Sequence, residues 1–202
     1  MTTIDVPFLP EKTEMEIPTT QASTPSLQHS APPSSTRLPL ERARKIADFI
    51  VEALRPLCWK IEIAGSIRRQ RPDCGDIDLV VIPTNHDALR RRIAQRCSLT
   101  SDGRDIIIAK MSNGVQLDVY CARPEERTLL DVTPSNWGSV MVCRTGSKEF
   151  NKYLCMAAAH KGLHWDPFRG VLRAGKVIAS ETEEDVFRAL GLTWVCPESR
   201  ER

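Results

Sequence analysis

Several features that would narrow the function class are missing from this chain of 202 residues. No run of about 18 apolar residues is present to span a bilayer, and Met1 is not followed by a basic stretch leading into an apolar one. The expectation is a soluble, intracellular protein with no membrane partner. The seven cysteines (Cys58, Cys74, Cys97, Cys121, Cys143, Cys155 and Cys196) include no C-x-x-C pair and are odd in number, which argues against both a zinc site and a disulfide framework. No internal repeat at solenoid periods occurs. A strong charge of either sign is lacking too: the formal net charge is +2, divided between −2 over residues 1–39 and +4 over the rest. That mild basic excess is compatible with a phosphate-rich partner without requiring one.

Residues 1–39 are rich in Pro, Ser and Thr, with scattered acids and no apolar period, and read as a disordered tail. From Leu40 the pattern changes. Leu40, Ala43, Ile46, Ala47, Ile50, Val51 and Leu54 recur at helical spacing until Pro56. Ile61–Ala64 and Asp76–Ile82 read as strands, and a helix is expected over about His86–Cys97. Two β-rich segments, Asp105–Met111 and Val115–Ala122, flank Asn113-Gly114, a strong hairpin signal. These elements predict an α/β unit with a mixed sheet over residues 40–123. Over 124–202 a smaller α/β subdomain is expected: a helix over about Ser147–Lys161, short strands at Val171–Arg173 and Lys176–Ala179, and a last helix at Glu183–Leu190.

The chemistry concentrates in Gly65-Ser66-Ile67-Arg68-Arg69, a short spacer, and Gly75-Asp76-Ile77-Asp78-Leu79-Val80-Val81. Side chains alternate along a strand, so Asp76 and Asp78 share one face while Ile77 and Leu79 pack behind. Two carboxylates brought together out of water repel unless a cation neutralises them, and hard oxygen ligands suit Mg²⁺ or Mn²⁺. Asp118, between Leu117 and Val119 on a neighbouring strand, is the candidate third ligand. Gly65-Ser66 lies where a strand hands over to a turn, so backbone N–H groups and a hydroxyl can meet phosphate oxygens, with Arg69 adding charge-assisted hydrogen bonds.

Each feature also has a plain structural reading. An Asp-x-Asp at a strand start is commonly a solvated strand end, a Gly-Ser pair is commonly only a turn, and a basic run is commonly a solvated face. The order and spacing of all three together favour chemistry over those alternatives.

That combination resembles the signature of the DNA polymerase β-like (family X) nucleotidyltransferases. The likeness extends through Arg144-Thr145-Gly146-Ser147-Lys148-Glu149-Phe150-Asn151, Lys161-Gly162-Leu163, Glu183–Phe187 and the closing Trp194–Arg200, and so covers the chain from about Leu40 onward. The resemblance implies a palm followed by a thumb. It also implies two divalent ions, with Asp76 and Asp78 bridging both and Asp118 on the catalytic one. Gly65, Ser66, Arg69 and Gly75 would form the triphosphate seat, Asn151 would reach the base edge of the incoming nucleotide, and Lys148 and Lys152 would touch DNA phosphates. For Arg90, Arg91 and Arg92 a solvent-facing role is expected, because successive helix residues splay around the axis.

Three departures from the family pattern carry expectations of their own. Where the family has an aromatic pair before Thr-Gly-Ser, this chain has Cys143-Arg144, so the sugar gate region (Cys143, Arg144, Thr145, Gly146) is expected to admit ribonucleotides with modest penalty. Gln116 stands where many relatives have an Arg, two residues before the third carboxylate. Only about 39 residues precede the palm, too few for fingers and lyase domains. The implied function is addition of nucleoside triphosphates to a DNA 3′-hydroxyl by a monomer acting on gapped or primer-template DNA, in short-gap repair. The alternatives are a template-independent or non-DNA nucleotidyltransferase, and a catalytically weak DNA-end binding protein.

Overall fold

A strand of eight residues, six of them apolar or proline, has to be covered on both faces, and the chain is organised around one. A computed structural model describes residues 37–130 and 132–201; of the tail expected over residues 1–39, residues 1–36 lie outside the described residues. In chain order the first half comprises β1 (Leu38–Pro39), α1 (Leu40–Leu54), β2 (Cys58–Ile63), α2 (Gly65–Arg68), β3 (Asp73–Cys74), β4 (Asp76–Pro83), α3 (His86–Ala94), β5 (Cys97–Asp102), β6 (Ile106–Met111) and β7 (Gln116–Cys121). Strands β2, β4, β7, β6 and β5 form one five-stranded sheet in that order, with β4 and β7 parallel and the remaining pairs antiparallel. The mixed sheet expected from the sequence is present.

Alternation sorts the side chains of β4 and β7. Ile77, Leu79 and Val81, with Leu117, Val119 and Cys121, face a core closed by Ala43, Ala47, Val51 and Leu54 of α1 and Leu89 and Ile93 of α3. Val80, Ile82, Tyr120 and Ala122 join the opposite cluster, capped by Trp137, Val140 and Met141. The first residues of β4 and β7 on that second face are polar: Asp76 and Asp78 on β4, Gln116 and Asp118 on β7.

The second half contains β8 (Glu126–Arg127), β9 (Val132–Thr133), α4 (Trp137–Thr145), α5 (Lys148–His160), β10 (His164–Asp166), β11 (Gly170–Arg173), β12 (Lys176–Ala179) and α6 (Glu183–Ala189). Strands β10, β11 and β12 make an antiparallel meander. Its core includes Phe150, Leu154, Trp165, Val171, Val186 and Phe187. Burying each such side chain is worth about 1.5–3 kcal/mol. Helix starts are chemically marked. Ser147 Oγ accepts from Phe150 N at 3.2 Å and Thr182 Oγ1 from Asp185 N at 3.1 Å, caps worth about 1 kcal/mol each.

Four expectations are revised. Leu38 and Pro39, assigned to the tail by composition, pair with Cys74 and Asp73, and Leu38 is buried. Gly65-Ser66 is not a bare turn but opens the single helical turn of α2. The helix after β4 ends at Ala94, because Cys97 already belongs to β5, paired with Met111 of β6. Helix α4 and strand β10 were not anticipated.

Candidate active site

The parallel register of β4 and β7 sets Asp78 directly beside Asp118, and Asp76 beside Gln116. Asp118 is 7% exposed, and Asp76 and Asp78 are half-buried. One carboxylate oxygen from each of the three aspartates lies within 4.8 Å of the other two. Holding three like charges this close is unfavourable. Burial first, then the charges of Asp76 and Asp118, push the Asp78 carboxyl up to about 8, against a hydrogen bond from Tyr120 and the charge of Arg69. Asp76 is raised too, by burial and then by Asp118. A cluster of hard oxygens carrying that much unresolved repulsion fits a divalent cation such as Mg²⁺ or Mn²⁺.

Backbone from α2 closes the site on one side. Gly65 has φ of +56°, and a Cβ there would fall 1.8 Å from Asp78 Oδ2, so only glycine lets this turn pass the carboxylate. Ser66 Oγ is buried with no hydrogen-bond partner among the described residues, a polar group that needs a ligand or water. The position of a Cβ on Gly75 meets nothing within 4 Å, leaving open space beside Asp76.

The other expected residues fall into place unevenly. Arg69 reaches the site, but its guanidinium is already engaged, by the Thr145 carbonyl and by Glu201 Oε1 at 2.5 Å. Gly146 lies against it, where a Cβ would come 3.1 Å from Arg69 Nη1. Asn151 Nδ2 donates to the Cys143 carbonyl at 2.8 Å, tying α5 to the end of α4, while its Oδ1 is buried without a partner among the described residues. Lys148 and Lys152 are exposed one turn apart on α5. Arg91 and Arg92 face solvent, as expected of that run, whereas Arg90 is half-buried and pairs with Asp102 of β5.

Three participants were missed. Tyr120, two residues beyond Asp118, donates its hydroxyl to Asp118 Oδ2 at 3.2 Å, while Gln116 Nε2 donates to Oδ1 at 2.8 Å. The alternation that paired Asp76 with Asp78 also places Gln116, Asp118 and Tyr120 on one face, so this signal was present. Glu183 of α6 is the second. It accepts a bidentate pair from Arg68 at 2.8 and 2.7 Å, and Arg200 Nη1 at 2.8 Å, while Arg68 also donates to Thr145 Oγ1 at 2.6 Å. Glu201 is the third, bridging Arg69 and, at 3.7 Å, Arg71. Contacts between residues more than 100 positions apart leave no local pattern in a sequence.

Comparison with known proteins agrees with this architecture. Residues 37–126 match the DNA polymerase beta palm family and residues 140–201 the DNA polymerase beta thumb family. DNA polymerase lambda of Rattus norvegicus is 28% identical over 198 residues, covering 82% of this chain and 33% of that protein. The chain thus spans about a third of the length of that curated relative. Among solved structures, Leishmania infantum polymerase beta in a ternary P/T complex superposes with a TM-score of 0.68 at 17% identity, over 84% of this chain and 78% of that one. The same enzyme in a ternary gap complex gives 0.67 at 16% identity, over 83% and 72%. Palm and thumb families matched in order, with three carboxylates converging from β4 and β7 of the palm, establish that this chain belongs to the DNA polymerase β-like family X polymerases, in a palm-plus-thumb arrangement.

Proposed function

We propose that the protein is a DNA polymerase that adds nucleotides to a DNA 3′-hydroxyl with two divalent metal ions, filling short gaps during repair. The observation that carries this reading is the convergence of Asp76, Asp78 and Asp118 at the open end of β4 and β7. When bound, two Mg²⁺ or Mn²⁺ ions supply Lewis acidity, lowering the pKa of the attacking hydroxyl and neutralising charge on the departing pyrophosphate.

The protein's own residues do the remaining work. Asp76, Asp78 and Asp118 would hold the ions between their converging carboxylate oxygens. Ser66 Oγ donates to a β- or γ-phosphate oxygen, which satisfies its unmet hydrogen-bonding need, and the N–H groups of α2 and Gly75 line the same seat. Arg69 exchanges its Glu201 contact for the triphosphate. Asn151, already close to Cys143, approaches the minor-groove edge of the base as a donor through Nδ2, because N3 and O2 on that edge accept. Lys148 and Lys152 grip DNA phosphates, so binding weakens as salt rises. The palm occupies residues 40–123, extended at its start by Leu38–Pro39, and the thumb residues 124–202; the protein acts as a monomer on intracellular DNA.

The test is incubation of the purified chain with Mg²⁺ or Mn²⁺ and labelled deoxynucleotides, on either a one-nucleotide-gapped duplex or a bare single strand. A variant with all three aspartates changed to Ala serves as control. Incorporation of the templated nucleotide into the gap supports the proposal. Untemplated tailing of the single strand transfers it to a template-independent enzyme, and DNA binding without incorporation under any metal overturns it in favour of an end-binding role.

A further inference from the structure

Asp118 has both oxygens met by neighbours on its own strand, Gln116 on Oδ1 and Tyr120 on Oδ2, and the same Tyr120 hydroxyl stands close enough to Asp78 to act on it as well. Both donors are neutral. The ring of Tyr120, 8% exposed, carries the guanidinium of Arg144 over it, with Cζ 4.1 Å from the ring centroid, and the same guanidinium stands 5.4 Å from the ring of Phe168. Arg144 lies in the last turn of α4, and its Nε is buried without a hydrogen-bond partner among the described residues. The cation therefore meets the aromatic ring and leaves the aspartates to other partners.

That arrangement solves a specific difficulty. Three crowded carboxylates relieve their repulsion by rotating apart, and a rotated Asp118 no longer points an oxygen at the others. A positive side chain bonded to Asp118 would hold it, but it would also offset the negative charge that attracts a divalent ion. Neutral donors fix the carboxylate and leave its charge intact. A cation on the ring stabilises the ring by about 0.5–2 kcal/mol and keeps the hydroxyl aimed at Oδ2.

We propose that Tyr120 is the positioning residue of the metal site, holding Asp118 in its ligating orientation, and that Arg144 supports it from α4 through the aromatic face. This rests on the reading of the three aspartates as metal ligands. Donors behind metal ligands commonly contribute 10–100-fold in metal affinity, and Tyr120 and Arg144 act as one such unit.

The experiment measures Mn²⁺ binding to the purified full chain by electron paramagnetic resonance of the free ion, without nucleotide or DNA. The variants are Tyr120→Phe, which keeps the ring and its stacking, Arg144→Met, the two combined, and Asp118→Asn. Tyr120→Phe is expected to weaken Mn²⁺ binding about 10-fold and to lower kcat with little change in nucleotide KM, at an unchanged urea midpoint. Arg144→Met weakens binding in the wild-type background and adds little to Tyr120→Phe, because its effect passes through the hydroxyl. Wild-type Mn²⁺ affinity in Tyr120→Phe, or full additivity of the two changes, overturns the proposal. If Asp118→Asn also binds Mn²⁺ like the wild type, the metal-site reading itself has failed, and the positioning role fails with it.

Discussion

Replacing Glu183 with Gln should be among the most damaging single changes that leave the aspartates alone. The carboxylate sits between two guanidiniums: Arg68 from the palm, about a quarter exposed, and Arg200, whose side chain is 0% exposed and packs near the rings of Phe187, Phe150 and Trp194. Arg200 also donates Nε to the Val195 carbonyl at 2.8 Å. Removing the anion leaves a buried cation uncompensated, which generally costs about 3–5 kcal/mol. Partial exposure of Arg68 places the value here near about 3 kcal/mol, a large part of the roughly 5–15 kcal/mol total for a domain. With a urea slope of about 2 kcal/mol/M, the unfolding midpoint should fall by roughly 1.5 M.

The same substitution carries a pH signature. Burial alone would raise the Glu183 carboxyl, but the hydrogen bonds and charges of Arg68 and Arg200 outweigh it and hold the group below its ordinary value of 4.5. A depressed carboxyl stabilises the fold above its unfolded pKa, and that contribution disappears as pH falls through the lower folded value. The gap between wild type and Glu183→Gln, measured by urea melts monitored by tryptophan fluorescence, should be full at pH 6–7 and shrink below about pH 4.5. A midpoint that moves by less than about 0.3 M at pH 7, or a gap independent of pH, would refute the buried-triad argument.

Three other outcomes follow from the site. With metals chelated, stability should decline as pH rises from 5 to 8, because the raised Asp78 carboxyl, at about 8, favours the fold only while protonated; Asp78→Asn should flatten that decline in urea melts, and added Mg²⁺ should reverse it in the wild type. Glu201→Gln should release Arg69 from a partly buried pair worth about 1 kcal/mol, lowering the nucleotide KM about 5-fold in steady-state assays, and an unchanged KM would mean that Arg69 does not meet the triphosphate. Cys143→Tyr should restore bulk at the end of α4 and reduce ribonucleotide incorporation, while the parent accepts both sugars at comparable rates. Strong ribonucleotide rejection by the parent in single-nucleotide competition would remove the small Cys143 side chain as the determinant.

How far the sequence could be read depended on whether a local period carried the information. The stripe from Leu40 to Leu54 predicts a helix because its apolar residues recur every three or four positions, and Ala43, Ala47, Val51 and Leu54 are indeed its buried members. Asn113-Gly114 marks the β6–β7 turn because its backbone must enter the positive-φ region, which Gly114 does at +83°. Asp76, Asp78 and Asp118 were legible for the same reason, since two strands of known alternation leave few ways to place three carboxylates.

Where burial is all-round, or partners are remote, that logic stops. Helix α4 is buried on nearly every side, between the palm sheet and α6, so its Trp, Val, Met and Cys residues show no polar stripe, and β-branched residues argue locally against a helix. Gly138 shows what actually determines the segment: a Cβ there would lie 2.1 Å from the Thr182 backbone, so α4 exists where α6 can press against it. Strand β5 has the opposite difficulty. Ser98, Thr100 and Ser101 give an edge strand with little apolar content, and its pairing is decided by β6. The ion pairs of Arg68 and Arg69 with Glu183 and Glu201 have no period at all. Charge complementarity depends on which side chains the finished fold brings together, so Arg68 and Arg69, adjacent and chemically alike, acquire opposite duties: one is locked into a buried triad, and the other ends in a pair that a triphosphate can displace.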